Sequence, residues 1–335
     1  MKIEEIEVSI HRFTTTLPVI DAPGPAETRV ICRVRGGGLE GVGMTARFLP
    51  FAVAAAIEKH LAPAIIGMEA TRIEAVNARL VPLICERGIT NGVNRAAQSC
   101  LDLALWDLLG KALGRRVSDL LGGMADDAPA YVTCGFPSMD RKALARVGAA
   151  MAAQGFCVFK LVVNHPDGIE EDVARVRALT EATGGRVAID ANEGLDLSAA
   201  LRLANRLADD DIAWFEDPVW NNDAHDLARL RNQTAIPIAA GQMDGDARRV
   251  RQYVEADALD VIMPNSLYNG GMSETARVAA IARAWERPLS DAGGGGIYCL
   301  HHMTGFSGTT LAEVHLGSAG DARAQLQALL SGVRG

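Results

Sequence analysis

The sequence predicts a barrel of parallel strands wrapped by helices, preceded by a smaller α+β domain. Three observations lead there. From about residue 128, short β-rich runs alternate regularly with helix-length segments, the pattern of strands joined by crossover helices. Asp190, Glu216 and Gln242 close three consecutive runs at equal intervals. No G-x-G-x-x-G follows a strand and no G-x-x-x-x-G-K-[ST] occurs. An open doubly wound sheet, the alternative arrangement, therefore lacks its usual nucleotide signatures, and the regular spacing favours the barrel.

Residues 2–13 alternate polar and apolar, with Ile3, Ile6, Val8 and Ile10 on one pattern, as a half-buried strand does. ETRVICRVRG repeats the pattern, and the glycines at 36–38 make a turn. Residues 51–65, 71–84 and 92–114 read as helices, the last small or apolar on nearly every side and so deeply buried. Strands followed by helices make an α+β domain over residues 1–125. The barrel strands are expected at 130–134, 157–163, 186–190, 212–216, 236–240, 259–263, 288–290 and 309–316, giving a second domain over 126–316. The tail at 317–335 carries a short helix expected to fold back onto the first domain.

Of the 335 residues, 49% are hydrophobic, enough for a large core. A formal charge of −8 without a Lys/Arg run disfavours nucleic acid and anionic membranes as partners. MKIEEIEVSIHRF has no apolar core of a signal peptide, and no apolar run is long enough to span a membrane. The six cysteines show no close pair. Buried free thiols in a reducing cytosol are the expected reading, hence a cytoplasmic protein.

A strand–helix unit of a barrel takes about 30 residues. Asp190, Glu216 and Gln242 should therefore arrive side by side at the C-terminal rim. Oxygen donors converging from adjacent strands suit a hard cation such as Mg²⁺; helix capping is the plain alternative. Lys160 lies in the apolar run CVFKLVV. An unpaired buried lysine is costly, so it should face the polar mouth, with Val162 pointing the same way. A snorkelling structural lysine is the alternative. Near a metal its pKa should fall towards neutrality, suiting a general base or an electrostatic clamp.

Two stretches resemble the signatures of the enolase superfamily, in its mandelate racemase and muconate lactonizing branch. AAQSCLDLALWDLLGKALGRRVSDLLGG (96–123) keeps Gly110, Lys111 and the closing Leu-Leu-Gly-Gly, and departs at Arg116. VAIDAN to WFEDP (187–218) keeps Asp190, Asn192, Glu216, Asp217 and Pro218, and departs at Phe215. The resemblance implies a modified (β/α)7β TIM-type barrel beneath an α+β capping domain, whose segments near 17–28 and 44–49 cover the substrate. It implies Mg²⁺ held by Asp190, Glu216 and Gln242, more weakly than usual because Gln242 replaces a glutamate. It implies removal of the proton beside a small substrate carboxylate, the cation stabilising the charge that develops. It also implies a homo-oligomer, a dimer or an octamer.

The departures bear on mechanism. Lys160-Leu161-Val162 keeps the first lysine of the family's Lys-x-Lys pair and lacks the second. Asn265 and Ala292 stand where racemases of the family carry Asp and His. By this comparison Lys160, Asp291 and Glu313 are the catalytic candidates, Asn192, Asn265, Cys134 and Tyr298 the substrate contacts, and His165, His301 and His302 weaker candidates. The DAGGGG run (291–296) could close over an anion through backbone N–H groups, or be a plain turn. The expected activity is a Mg²⁺-dependent lyase or isomerase acting on a hydroxy- or amino-acid carboxylate. A dehydratase is favoured over a racemase, since one base can serve dehydration. A decayed protein that binds a carboxylate without turnover is the second reading. Metal-independent chemistry at a nucleophile such as Cys134 is the third.

Overall fold

The computed structural model describes residues 1–316, apart from 18, 20, 21, 47, 48, 86–90, 245 and 295. The N-terminal sheet is antiparallel, in the order β1 (Glu5–Leu17), β2 (Ala22–Gly36), β3 (Leu39–Ala46). Gly37 and Gly38 turn between β2 and β3 with φ of 56° and 76°, the left-handed region that glycine tolerates. The helical stretch expected at 51–65 is α1 (Pro50–Ala56), a π-helical turn at Ile57–Leu61 and α2 (Ala62–Ile65). It is followed by α3 (Ile73–Ile84), α4 (Val93–Leu113) and α5 (Val117–Leu121).

α4 is buried nearly all round because it lies between two bodies. Its Cys100 and Ala104 carbonyls touch β3 at Gly43 and Gly41, where any Cβ would collide with them. On its other side, Arg95 Nη2 pairs with Asp246 Oδ2 at 2.6 Å and Asp102 accepts from Ser273. These last partners belong to the barrel.

The barrel sheet is parallel, in the order β10 (Ala312–His315), β4 (Ala130–Gly135), β5 (Val158–Val162), β6 (Arg186–Asp190), β7 (Ile212–Glu216), β8 (Ile238–Ala240), β9 (Val261–Ile262). Leu289 bridges Ile262 on one side and Thr309 on the other, which closes the ring. The strands expected at 236–240, 259–263 and 288–290 are shorter than their apolar runs. Pro237, Pro264 and Pro288 flank them, and a proline supplies no N–H to a ladder.

Helices α6 (Arg141–Ala152), α7 (Ile169–Thr183), α8 (Leu197–Arg206), α9 (Ala224–Arg231), α10 (Ala247–Glu255), α11 (Met272–Ala284) and α12 (Ile297–Gly305) surround it. Asp140, Asp196, Asp223 and Asp246 each cap a helix by accepting from its first free N–H groups.

Alternation along the strands builds two layers. Val132, Phe159, Ile189, Phe215 and Ile238 face the helices, while Tyr131, Ala188, Trp214, Ala239 and Met263 fill the barrel. Leu17, at the end of β1, is buried in the barrel's outer core cluster, so the N-terminal hairpin reaches the second domain. Parts of the expected covering segments (18, 20, 21, 47, 48) and the tail at 317–335 lie outside the described residues. Among the described residues, no helix is long and apolar enough to cross a membrane. All six cysteines are free. The expectation that they are buried fails at Cys157, which is exposed, and at Cys85, which is half-buried.

Candidate active site

Adjacent strands bring the predicted carboxylates together. β5 pairs with β6 so that Val162 meets Asp190, and β6 with β7 so that Asp190 meets Glu216. Lys160, two residues before Val162 on the same face, sends its Nζ into this group. It lies 2.7 Å from Glu216 Oε1, 2.8 Å from Glu313 Oε1 and 3.2 Å from Asp190 Oδ2. All four side chains are almost completely buried. Trp214 Nε1 donates to Glu216 Oε2 at 3.1 Å, the backbone N–H of Asn192 to Asp190 Oδ1 at 2.8 Å, and Thr133 Oγ1 to Glu313 Oε1.

Lys160 thus points inward with the carboxylates, as expected, and is ion-paired with three of them. Among the protein's own groups, burial alone would lower its pKa, but Glu216, Glu313 and Asp190 outweigh burial and hold the ammonium well above the usual lysine range.

The cluster still carries excess negative charge. One ammonium faces three carboxylates, and Asp217 adds a fourth, its donor atom grouped within 4.8 Å of those of Asp190 and Glu216. Burial pushes the Glu216 carboxyl up to about 8 despite Lys160 beside it. It pushes Asp217 well up too, helped by Glu216, Asp190 and Asp244. Glu313 goes the other way: Lys160 and His315 overcome its burial and hold it well below the usual range. Buried carboxylates that repel one another are relieved by a cation, and an all-oxygen donor set fits Mg²⁺. The residues present thus fit such an ion.

Other predicted residues fall variously. Gln242, two residues past β8, is buried against Gly293, where any Cβ would run into Gln242 Nε2 and Asn265 Nδ2. Asn265 is committed to backbone, donating to Ala292 O at 2.6 Å and accepting from Leu267 N–H at 2.9 Å. Asn192 is exposed, with φ of 46°.

Two assignments, Cys134 and Asp291, are overturned by direction. Cys134 sits in the layer between strands and helices, because its neighbour Thr133 takes the inward position; burial pushes its thiol up to about 12. This removes it both as a pocket residue and as a nucleophile. Tyr298 donates to Val42 O at 2.9 Å and joins the two domains. Asp291 turns its Oδ1 towards α12, 4.0 Å from His302 Nε2, and not towards Lys160. His301 accepts from Ser118 N–H at 3.3 Å. His165 holds its own loop, accepting from Asp167 N–H at 3.1 Å. In the glycine run, Gly294 N–H donates to Glu313 Oε2 at 2.7 Å, so the anion it meets is internal.

The sequence reading left three residues of this cluster without a role in the site. His315 Nε2 lies 3.4 Å from Glu313 Oε1 with its side chain 25% exposed, a titratable group at the mouth. Thr133 and Asp217 are the others. Period-two alternation from Glu313 and from Tyr131 points to His315 and Thr133. Asp217 was visible as the second acid of WFEDP.

A capped barrel with inward carboxylates at its C-terminal rim defines a class of enzymes built by strand-end chemistry. Family comparison narrows the class. Residues 6–122 match the model for the mandelate racemase / muconate lactonizing enzyme N-terminal domain, and residues 142–329 the model described as enolase C-terminal domain-like. The chain belongs to the mandelate racemase and muconate lactonizing branch of the enolase superfamily. It is 33% identical to a D-galactarolactone cycloisomerase of Agrobacterium fabrum over 65% of this chain, a match spanning 58% of that protein. It is 28% identical to an arabinonate dehydratase of Saccharolobus solfataricus over 79% of this chain and 72% of that protein. A racemase from Streptomyces coelicolor A3(2), solved with bound magnesium, superposes with a TM-score of 0.84 at 27% identity, covering 93% of this chain and 89% of that one.

Proposed function

We propose that the protein is a Mg²⁺-dependent lyase or isomerase that removes the proton beside the carboxylate of a small hydroxy or amino acid, with dehydration favoured over racemisation. The observation that carries this reading is the buried excess of carboxylate around Lys160. Asp190, Glu216 and Asp217, with the amide oxygen of Gln242, would hold the ion. When bound, it would stabilise the negative charge that develops on the substrate carboxylate.

The chain's own groups supply the rest. Lys160, charged and fixed by Glu216, Glu313 and Asp190, supplies the positive charge that partly balances this acidic cluster. Glu313 is held ionised and orients Lys160. His315, partly exposed beside Glu313, is the group placed to accept and return a proton. Val162, Asn265 and Ala292 leave the other faces without an acid or base, which supports dehydration, since a single group can serve both its proton transfers. The relatives named above include a dehydratase, a cycloisomerase and a racemase.

Turnover assays over acid sugars and N-acyl amino acids test the reading, with Mg²⁺ and with EDTA. Turnover that needs Mg²⁺ and is lost in His315→Asn is expected. Full activity in EDTA, or in His315→Asn, would remove the metal or the histidine from the mechanism. The second reading, carboxylate binding without turnover, is favoured by one observation: Asn265 engages backbone through both its Nδ2 and its Oδ1. Tight binding by calorimetry with no turnover across the whole library would select it.

A further inference from the structure

Behind the barrel wall, on the helix side of the Leu289 segment that closes the ring, lies a second cluster. α12 presents Cys299 and His302 three residues apart, hence on one face. Both are fully buried, and Asp291, at the end of the Leu289 segment, is nearly so. One donor atom from each lies within 4.8 Å of the others, and His302 Nε2 is 4.0 Å from Asp291 Oδ1.

Hydrogen bonding satisfies this cluster only in part: the Cys299 thiol shares a hydrogen bond with the Asp291 carboxylate. Asp291 Oδ1, His302 Nδ1 and His302 Nε2 are buried without a hydrogen-bond partner. Orphaned buried polar atoms are rare in folded proteins and call for an unseen ligand or water. The remaining contacts are loose: Cys299 Sγ lies 3.8 Å from Ser266 Oγ and 3.7 Å from Asn265 Oδ1.

We propose that Asp291, Cys299 and His302 form a binding site for a borderline-soft divalent ion of the Zn²⁺ type, separate from the oxygen-lined mouth. One thiolate, one imidazole and one carboxylate are the donor types Zn²⁺ takes, whereas Mg²⁺ prefers oxygen alone. Zn–ligand bonds of 2.0–2.3 Å give tetrahedral ligand–ligand edges of about 3.3–3.8 Å. The donors are slightly wider than this, so modest side-chain closure completes three corners. Water, or Ser266 Oγ beside Cys299, supplies the fourth. Asp291 Oδ2 already accepts from Glu313 N–H at 3.3 Å, which fixes the carboxylate while Oδ1 stays free. An ion here would pin α12 and the 291–294 loop against the barrel, beneath the Lys160–Glu313 cluster. The site does not depend on the activity proposed above.

Co²⁺ tests it. Protein stripped by chelator is titrated with Co²⁺ and read by absorption. The expected result is a thiolate-to-cobalt charge-transfer band that saturates at one equivalent, displaced by Zn²⁺, with any further Co²⁺ taken by the mouth adding nothing to it. The band is expected to vanish in Cys299→Ser, and affinity to fall at least about 100-fold in His302→Gln. In Asp190→Asn the band is expected to persist, because that variant alters only the mouth. Circular dichroism confirms that each variant is folded. Stoichiometric Co²⁺ without a thiolate band in the wild-type protein, no binding at all, or a band that survives in folded Cys299→Ser each overturns the proposal, leaving a trapped water to satisfy the three orphaned atoms.

Discussion

The Lys160 ammonium reaches across β4 to the Glu313 carboxylate of β10, 2.8 Å away, while Thr133 of β4 donates to the same oxygen. Three strands thus lock one lysine among carboxylates that would otherwise be free for a metal ion. The lysine and the ion share ligands, and their energetics are coupled.

Lys160→Met should separate these roles. Without the ammonium, buried carboxylates are left uncompensated, a loss of about 3–5 kcal/mol, read as a lower melting temperature in EDTA. Mg²⁺ should restore much of it and bind at least about tenfold more tightly by calorimetry, because a neighbouring positive charge is gone. Turnover should fall by about 10²–10⁴-fold. A melting temperature indifferent to Mg²⁺ would contradict the shared-ligand geometry.

Gln242→Glu adds one negative charge where the amide stands. Mg²⁺ affinity should rise about tenfold, the yield of roughly 1.4 kcal/mol of added attraction. Unchanged affinity in calorimetry would place Gln242 outside the coordination sphere.

Arg95→Ala breaks the buried pair with Asp246, which also caps α10. The stranded carboxylate should cost about 3–5 kcal/mol in urea denaturation. A loss below about 1 kcal/mol would show that the two domains do not depend on this contact.

Asp102, on α4, accepts from Asn77 and from Ser273 of the barrel, yet burial pushes its carboxyl up to about 6. Its folded state holds a proton more tightly than the unfolded chain, whose carboxyl titrates at 3.8. The stabilisation is complete below pH 3.8 and is lost as pH rises through about 6, amounting to about 3 kcal/mol. Asp102→Asn should lack this slope. The difference in unfolding free energy between the two proteins, measured at pH 4.5 and at pH 7, should change in favour of the variant; a constant difference would refute the shift.

Gly293 has φ of 76° and lies against Gln242 and Asn265. Gly293→Ala should cost about 1–3 kcal/mol from backbone strain alone and displace the loop from Gln242. Wild-type stability and unchanged Mg²⁺ affinity together would show that the loop tolerates a side chain there.

Much of the site was legible in one dimension. Asp190, Glu216 and Lys160 announce themselves by strand-end position and spacing, and Glu313 by likeness to the family. Cys134 and Asp291 were misread because a strand places alternate residues on opposite faces, and one residue of register decides which layer a side chain enters. Thr133 and Ala292, their inward neighbours, took the pocket side. The bond from Tyr298 to Val42 O was beyond the sequence reading because Val42 lies in the other domain.

By itself the sequence determined the order of strands and helices and the family to which the chain belongs. It also determined which acids end which strands, because periodicity and spacing are local properties of a chain. Tertiary structure alone decided that Lys160 would be ion-paired and charged, that Asp217 and His315 would join the site, and that Asp291 would turn to Cys299 and His302. Those outcomes depend on burial and on charges brought within a few ångströms from distant parts of the chain. Coulomb attraction and desolvation act through space, and space is assigned only when the barrel closes.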